Sequence, residues 1–165
     1  MKKFLLILIA AAPLYCTAQK IDVSKDKITV DETDYALIEK DGCGVLSSTC
    51  EYNVKNLAGK KVLLVKELDM KDPDKKDAGN PDGTVHYLQF VFLESKQKAE
   101  TENPALLMLK AKDVAKLIVK AELFKSGELD AEAVSNFVQS KGTPYTDRKK
   151  EMAGSKVIII EKEKE

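Results

Sequence analysis

The sequence predicts an α+β fold: an antiparallel β-meander of about 5–7 strands, with two consecutive helices packed on one face. Three observations carry that expectation. Short apolar stretches alternate with polar residues through the first two thirds of the chain and are joined by short connections. Two stretches near 113–125 and 131–140 then carry apolar residues at helical spacing. One stretch, Thr84 to Leu93, is apolar on both of its alternating faces, as expected of a strand covered from two sides near the middle of a sheet.

The strands come first. Ile21 and Val23 alternate with polar residues, as do Ile28 and Val30. Asp31-Glu32-Thr33-Asp34 supplies a turn, after which Tyr35 to Glu39 resumes as strand. Thr49 to Lys55 puts Cys50, Tyr52 and Val54 on one side and Glu51, Asn53 and Lys55 on the other, so one face meets water. Lys60 to Leu68, centred on Val62-Leu63-Leu64-Val65, is the natural antiparallel neighbour of Thr84–Leu93. Glu94 to Asn103 is polar and reads as a loop, and Ala105 to Lys110 as a strand leading into the first helix.

In the first helix Val114, Leu117, Ile118, Ala121 and Phe124 form the apolar stripe, with Asp113 as its cap and Ser126-Gly127 as its stop. Asp130 caps the second, which presents Val134, Phe137 and Val138, and Gly142 with Pro144 ends it. Lys156 to Ile160 contains four β-branched residues in a row and is expected as a C-terminal strand. Residues 161–165 alternate acid and base and are expected to fray.

Residues 1–18 carry the most specific signal. Lys2 and Lys3 precede an apolar run of nine, Phe4 to Ala12, then Pro13 and small residues at Cys16 and Ala18. That is the pattern of a secretory signal peptide cleaved before Gln19. The run is about half the ~20 residues needed to span a bilayer. Leu14-Tyr15-Cys16 resembles a lipoprotein box, with a bulky Tyr15 where a small residue is expected, so an anchor at Cys16 is the lesser alternative. Residues 19–165 are expected as a single globular domain, periplasmic or secreted, of a bacterial type. Removal of Lys2 and Lys3 takes two of the 27 basic residues and leaves all 27 acidic ones, a net charge of about −2. No field of one sign favours nucleic acid, and no further transmembrane helix is expected.

Cys43 and Cys50 are the cysteines left after cleavage. An oxidising compartment favours their pairing, which on the loop-closure account stabilises by about 2–3 kcal/mol. A redox pair prefers Cys-x-x-Cys, and a zinc site needs two more ligands in a chain with one histidine. Asp69 to Gly83 is a long polar connection with five aspartates. Registered as an EF-hand, it puts Ala78 at the first ligand position and Gln89 where a glutamate is required, so no metal and no cofactor is expected.

His86 is the sole histidine, and no P-loop, dinucleotide, metalloprotease or nucleophile-elbow motif is present. A non-catalytic domain binding an envelope protein or a small ligand is therefore expected. The alternatives are an accessory envelope protein pairing through Val157–Ile160 and a hydrolase-like enzyme using His86 and loop carboxylates. Gln89 is polar on an otherwise apolar face, so a pocket is expected there, with His86 and Tyr87 at its rim.

Overall fold

The computed structural model describes residues 19–42, 50–105 and 108–162, with side chains described through residue 154. Seven antiparallel strands follow one another across a single sheet: β1 (Ile21–Ser24), β2 (Lys27–Val30), β3 (Thr33–Asp41), β4 (Glu51–Lys55), β5 (Lys61–Lys71), β6 (Thr84–Phe92) and β7 (Lys98–Glu102). The first two connections are two-residue hairpins at Lys25–Asp26 and Asp31–Glu32. All four of these residues have positive φ, the primed geometry that matches strand twist. The longest pairing joins β5 to β6, from Leu63 opposite Phe92 to Lys71 opposite Thr84.

Alternation along the strands sorts the side chains cleanly. Val54 lies opposite Leu63, Tyr52 opposite Val65, and Val65 opposite Phe90, so one face carries a continuous apolar layer. Helices α1 (Ala111–Lys120) and α2 (Ala131–Lys141) cover that layer. Phe137 of α2 meets Phe90 and Phe92 edge-on, at 5.1 and 6.2 Å between ring centroids. Asp130 caps α2 as expected, accepting from the Ala133 amide at 2.9 Å.

Tyr52 ties the middle of the sheet to the segment before α1. It is fully buried and donates to the Leu109 carbonyl at 2.7 Å. Burial pushes its phenol up to about 12. Its contribution is full below the free-tyrosine value of 10.0 and is lost as pH rises towards about 12. Tyr52→Phe is expected to cost about 1–2 kcal/mol in urea unfolding at neutral pH, because the Leu109 carbonyl is left unpaired. The same variant should show a shallower loss of stability above pH 10 than the parent; an identical slope would mean that Tyr52 does not titrate on unfolding.

Five expectations are corrected. β6 is the sixth of seven strands, not the middle one, and its second apolar face is covered by a third helix. The polar stretch Glu94–Asn103 contains an edge strand, β7, in which Ala99 and Glu100 are buried. The first helix ends at Lys120, since Glu122 takes a left-handed conformation. Phe124–Lys125 (β8) and Glu128–Leu129 (β9) then form a small hairpin around Ser126-Gly127, both with positive φ. Gly127 is needed there for a second reason: a Cβ would lie 2.5 Å from Leu57 Cδ1.

The fourth correction is the C-terminal strand. Residues 156–160 are helical, within α3 (Pro144–Lys162). A helix already nucleated gains one hydrogen bond per added residue, and Val or Ile costs under about 1 kcal/mol relative to Ala. The expected break at Gly154-Ser155 therefore does not stop it. The described part of Ala105–Lys110 is likewise not a strand. The expected leader, residues 1–18, and Cys43 lie outside the described residues. No helix among the described residues is long and apolar enough to cross a membrane.

Candidate functional site

The site is assembled where α3 meets the sheet face opposite α1 and α2. Its first component is Glu100 of β7, 1% exposed. One carboxylate oxygen accepts from the Tyr145 and Thr146 amides, both at 2.9 Å. The other accepts from Gln89 Nε2 at 3.0 Å and from the Thr146 hydroxyl. A helix start leaves amide groups without partners and carries partial positive charge. Glu100 answers both needs from a strand 45 residues earlier.

Tyr87 lies beside this anchor on the same face. It is buried and stacks on Tyr145, with 4.5 Å between centroids and 19° between planes. One turn further along α3, Lys149 Nζ donates to the Tyr87 hydroxyl at 3.0 Å and to the Asp69 carbonyl at 3.2 Å. It also stands 5.2 Å from the centre of the Tyr87 ring.

The second wall is the long loop between β5 and β6, and its aspartates and Asn80 are occupied in building it. Asp72 accepts from the Asp74 amide and begins a 3-10 turn over Pro73–Lys75. Asp77 Oδ1 accepts from the Gly79 and Asn80 amides. Asn80 bridges the Lys75 carbonyl and both backbone groups of Thr84. Lys71 pairs with Asp82 at 2.7 Å. Among the described residues no group of three or more His, Cys, Asp or Glu side chains is arranged to hold a metal ion.

Arg148 joins the two walls. Its Nε and Nη2 donate to the two oxygens of the buried Asp72 carboxylate at 3.1 and 3.0 Å, and Nη2 also reaches Asp74. The guanidinium holds the Asp72 carboxyl below the usual carboxylate range, and Asp72 in turn pushes Arg148 further up. The stability from a depressed carboxylate is present above its unfolded value and lost as pH falls through the folded one. The latch is therefore expected to stay closed at pH 5 and to open only below the ordinary carboxylate value of about 4. Amide exchange in the 72–83 loop across an acid titration checks this, and opening already at pH 5–6 would contradict it.

Between loop and helix lies a cleft of about 770 Å³ lined by Lys71, Pro73, Lys76, Asp82, Arg148, Lys149, Met152 and Ala153. Of the residues expected at a site, Tyr87 and Gln89 lie together beneath α3, Gln89 is taken up by Glu100, and neither lines the cleft. His86 does not join them: alternation puts it on the other face, exposed, opposite Asp69. Glu100, Arg148 and Lys149 were missed. The signal that could have found them is Thr143-Pro144, which reads as a helix start as readily as a stop for α2. Comparison with protein-family models, with curated proteins and with solved structures gives no match, so the functional reading rests on this geometry.

Proposed function

We propose that this chain is an exported, non-catalytic binding domain whose ligand enters the cleft between the 72–83 loop and α3. In this reading the leader is removed before Gln19 and Cys43 pairs with Cys50 ahead of β4. The observation that carries the binding reading is the cleft itself. Its volume, about 770 Å³, lies in the range typical of small-molecule sites, roughly 300–1,000 Å³, and its walls are latched together by Arg148 and Asp72. The non-catalytic reading is supported by its lining, in which cations, proline and methionine surround one carboxylate and no nucleophile stands beside a base.

Two measurements test it. Intact mass of the protein isolated from its own cells should give an N-terminus at Gln19 and two fewer hydrogens than the dithiol form; a chain still beginning at Met1 overturns export. Screening a fragment library by NMR should move the Met152 methyl resonance. Binders that leave Met152 untouched, or a hydrolytic activity abolished by His86→Ala, would overturn the binding reading.

A further inference from the structure

We propose that the cleft selects a monoanion carried on an apolar body, a carboxylate with a short hydrocarbon tail. The inference rests on the cleft being the binding site and goes on to name what it takes. Four cations line it, but they are not equivalent. Arg148 is neutralised by Asp72 and Asp74, with Glu151 also within ion-pair range, and Lys71 by Asp82. Lys149 is held by the Tyr87 hydroxyl and the Asp69 carbonyl instead of a carboxylate, and Lys76 acts on Asp82 without the hydrogen bond that Lys71 makes to it.

Lys149 is the better prepared of the two. An ammonium has three N–H donors. The Tyr87 hydroxyl and the Asp69 carbonyl take two of them and hold the side chain in place. The third is unassigned, on a residue that lines the cleft. Part of the ordering that a ligand normally imposes on a lysine is thus complete before it binds. Lys76, exposed on the opposite wall, supplies a second charge without such restraint. Asp82 pairs with Lys71 and also acts on Lys76, so the surplus positive charge left in the cleft is closer to one than to two, which favours one negative charge over a dianion. Pro73, Met152 and Ala153 complete the lining and offer apolar surface to a tail.

The test uses the mature chain with methyl-labelled methionine and four probes: octanoate, octanol, octylamine and inorganic phosphate. Octanoate is expected to shift the Met152 resonance saturably, with the other three at least tenfold weaker. Lys149→Gln and Lys76→Gln should each weaken octanoate about tenfold, the typical cost of one charge-assisted contact. Lys116→Gln, on α1 away from the cleft, should leave it unchanged. Lys76 is exposed and lies outside α3, so its variant decides the matter if Lys149→Gln loosens α3. Octanol or octylamine binding at Met152 as tightly as octanoate would overturn the anion selectivity while leaving the cleft as the binding site. Phosphate binding as tightly as octanoate would overturn the apolar body. A Met152 signal that none of the four probes moves would overturn this inference, while the cleft reading falls only if library fragments that bind the protein also leave Met152 unmoved.

Discussion

Glu100→Ala is expected to destabilise the protein by about 3 kcal/mol, because a buried anchor is removed and its donors are left behind. Four donors converge on this carboxylate: two backbone amides at the start of α3, the Thr146 hydroxyl and the Gln89 amide. At 1% exposure, water does not readily take its place. Alanine therefore does more than delete bonds. It orphans the helix start and removes the negative charge that faces its dipole. Glu100→Gln separates these effects. It preserves shape and one acceptor oxygen but turns an N–H₂ towards groups that also donate, so an intermediate loss is expected. Urea unfolding midpoints give the magnitude, and amide exchange at Tyr145 and Thr146 gives the location. A loss below about 0.5 kcal/mol for Glu100→Ala, within the range of ordinary surface changes, would mean that α3 is held by Tyr87–Tyr145 stacking and the Arg148 latch instead.

The same residue explains what could and could not be seen in the sequence. The β5–β6 hairpin was legible because both strands carry period-two apolar patterns, and their pairing follows from one intervening loop. Helix α2 was legible because Asp130 and Gly142 are local signals. β7 was not, because Lys-Ala-Glu-Thr-Glu looks solvated, and Glu100 is buried only because a helix start arrives 45 residues later. The turn at Asp31–Glu32 was legible as a polar break, whereas the two-residue turn at Lys25–Asp26 was hidden for a related reason: it adopts positive φ without the glycine that usually marks it. The cleft itself was legible only through its loop, since none of His86, Tyr87 and Gln89 lines it. Tyr87, Gln89 and the long loop stood out by composition, whereas the α3 wall was obscured by β-branched residues whose strand preference is weak against helix continuation. Consecutive numbering also grouped His86 with Tyr87, although adjacent residues of a strand face opposite ways.

Gly83→Ala is expected to cost about 3 kcal/mol and to open the cleft, combining overpacking with left-handed strain. Gly83 has φ of +64°, and a Cβ there would stand 2.2 Å from the Asp72 carbonyl oxygen. The obstacle is backbone, so no side-chain rotation relieves it. The two residues are also bonded, the Asp72 amide donating to the Gly83 carbonyl at 2.8 Å. Relief must therefore come from moving Asp72, and Asp72 is the carboxylate that holds Arg148. The strain at one glycine is thereby transmitted to the latch between loop and helix. Gly79→Ala is the matched control in the same loop: its φ is not left-handed, and the nearest atom to an added Cβ is a side-chain oxygen at 3.4 Å. It is expected to change stability by no more than about 0.5 kcal/mol. Limited proteolysis of the 72–83 loop distinguishes the outcomes. Rapid cleavage of Gly83→Ala with a resistant Gly79→Ala supports a latch transmitted through Asp72. Equal resistance in both would show that the loop is held closed by Asn80 and Asp77 alone, with Arg148 contributing nothing to the shape of the cleft.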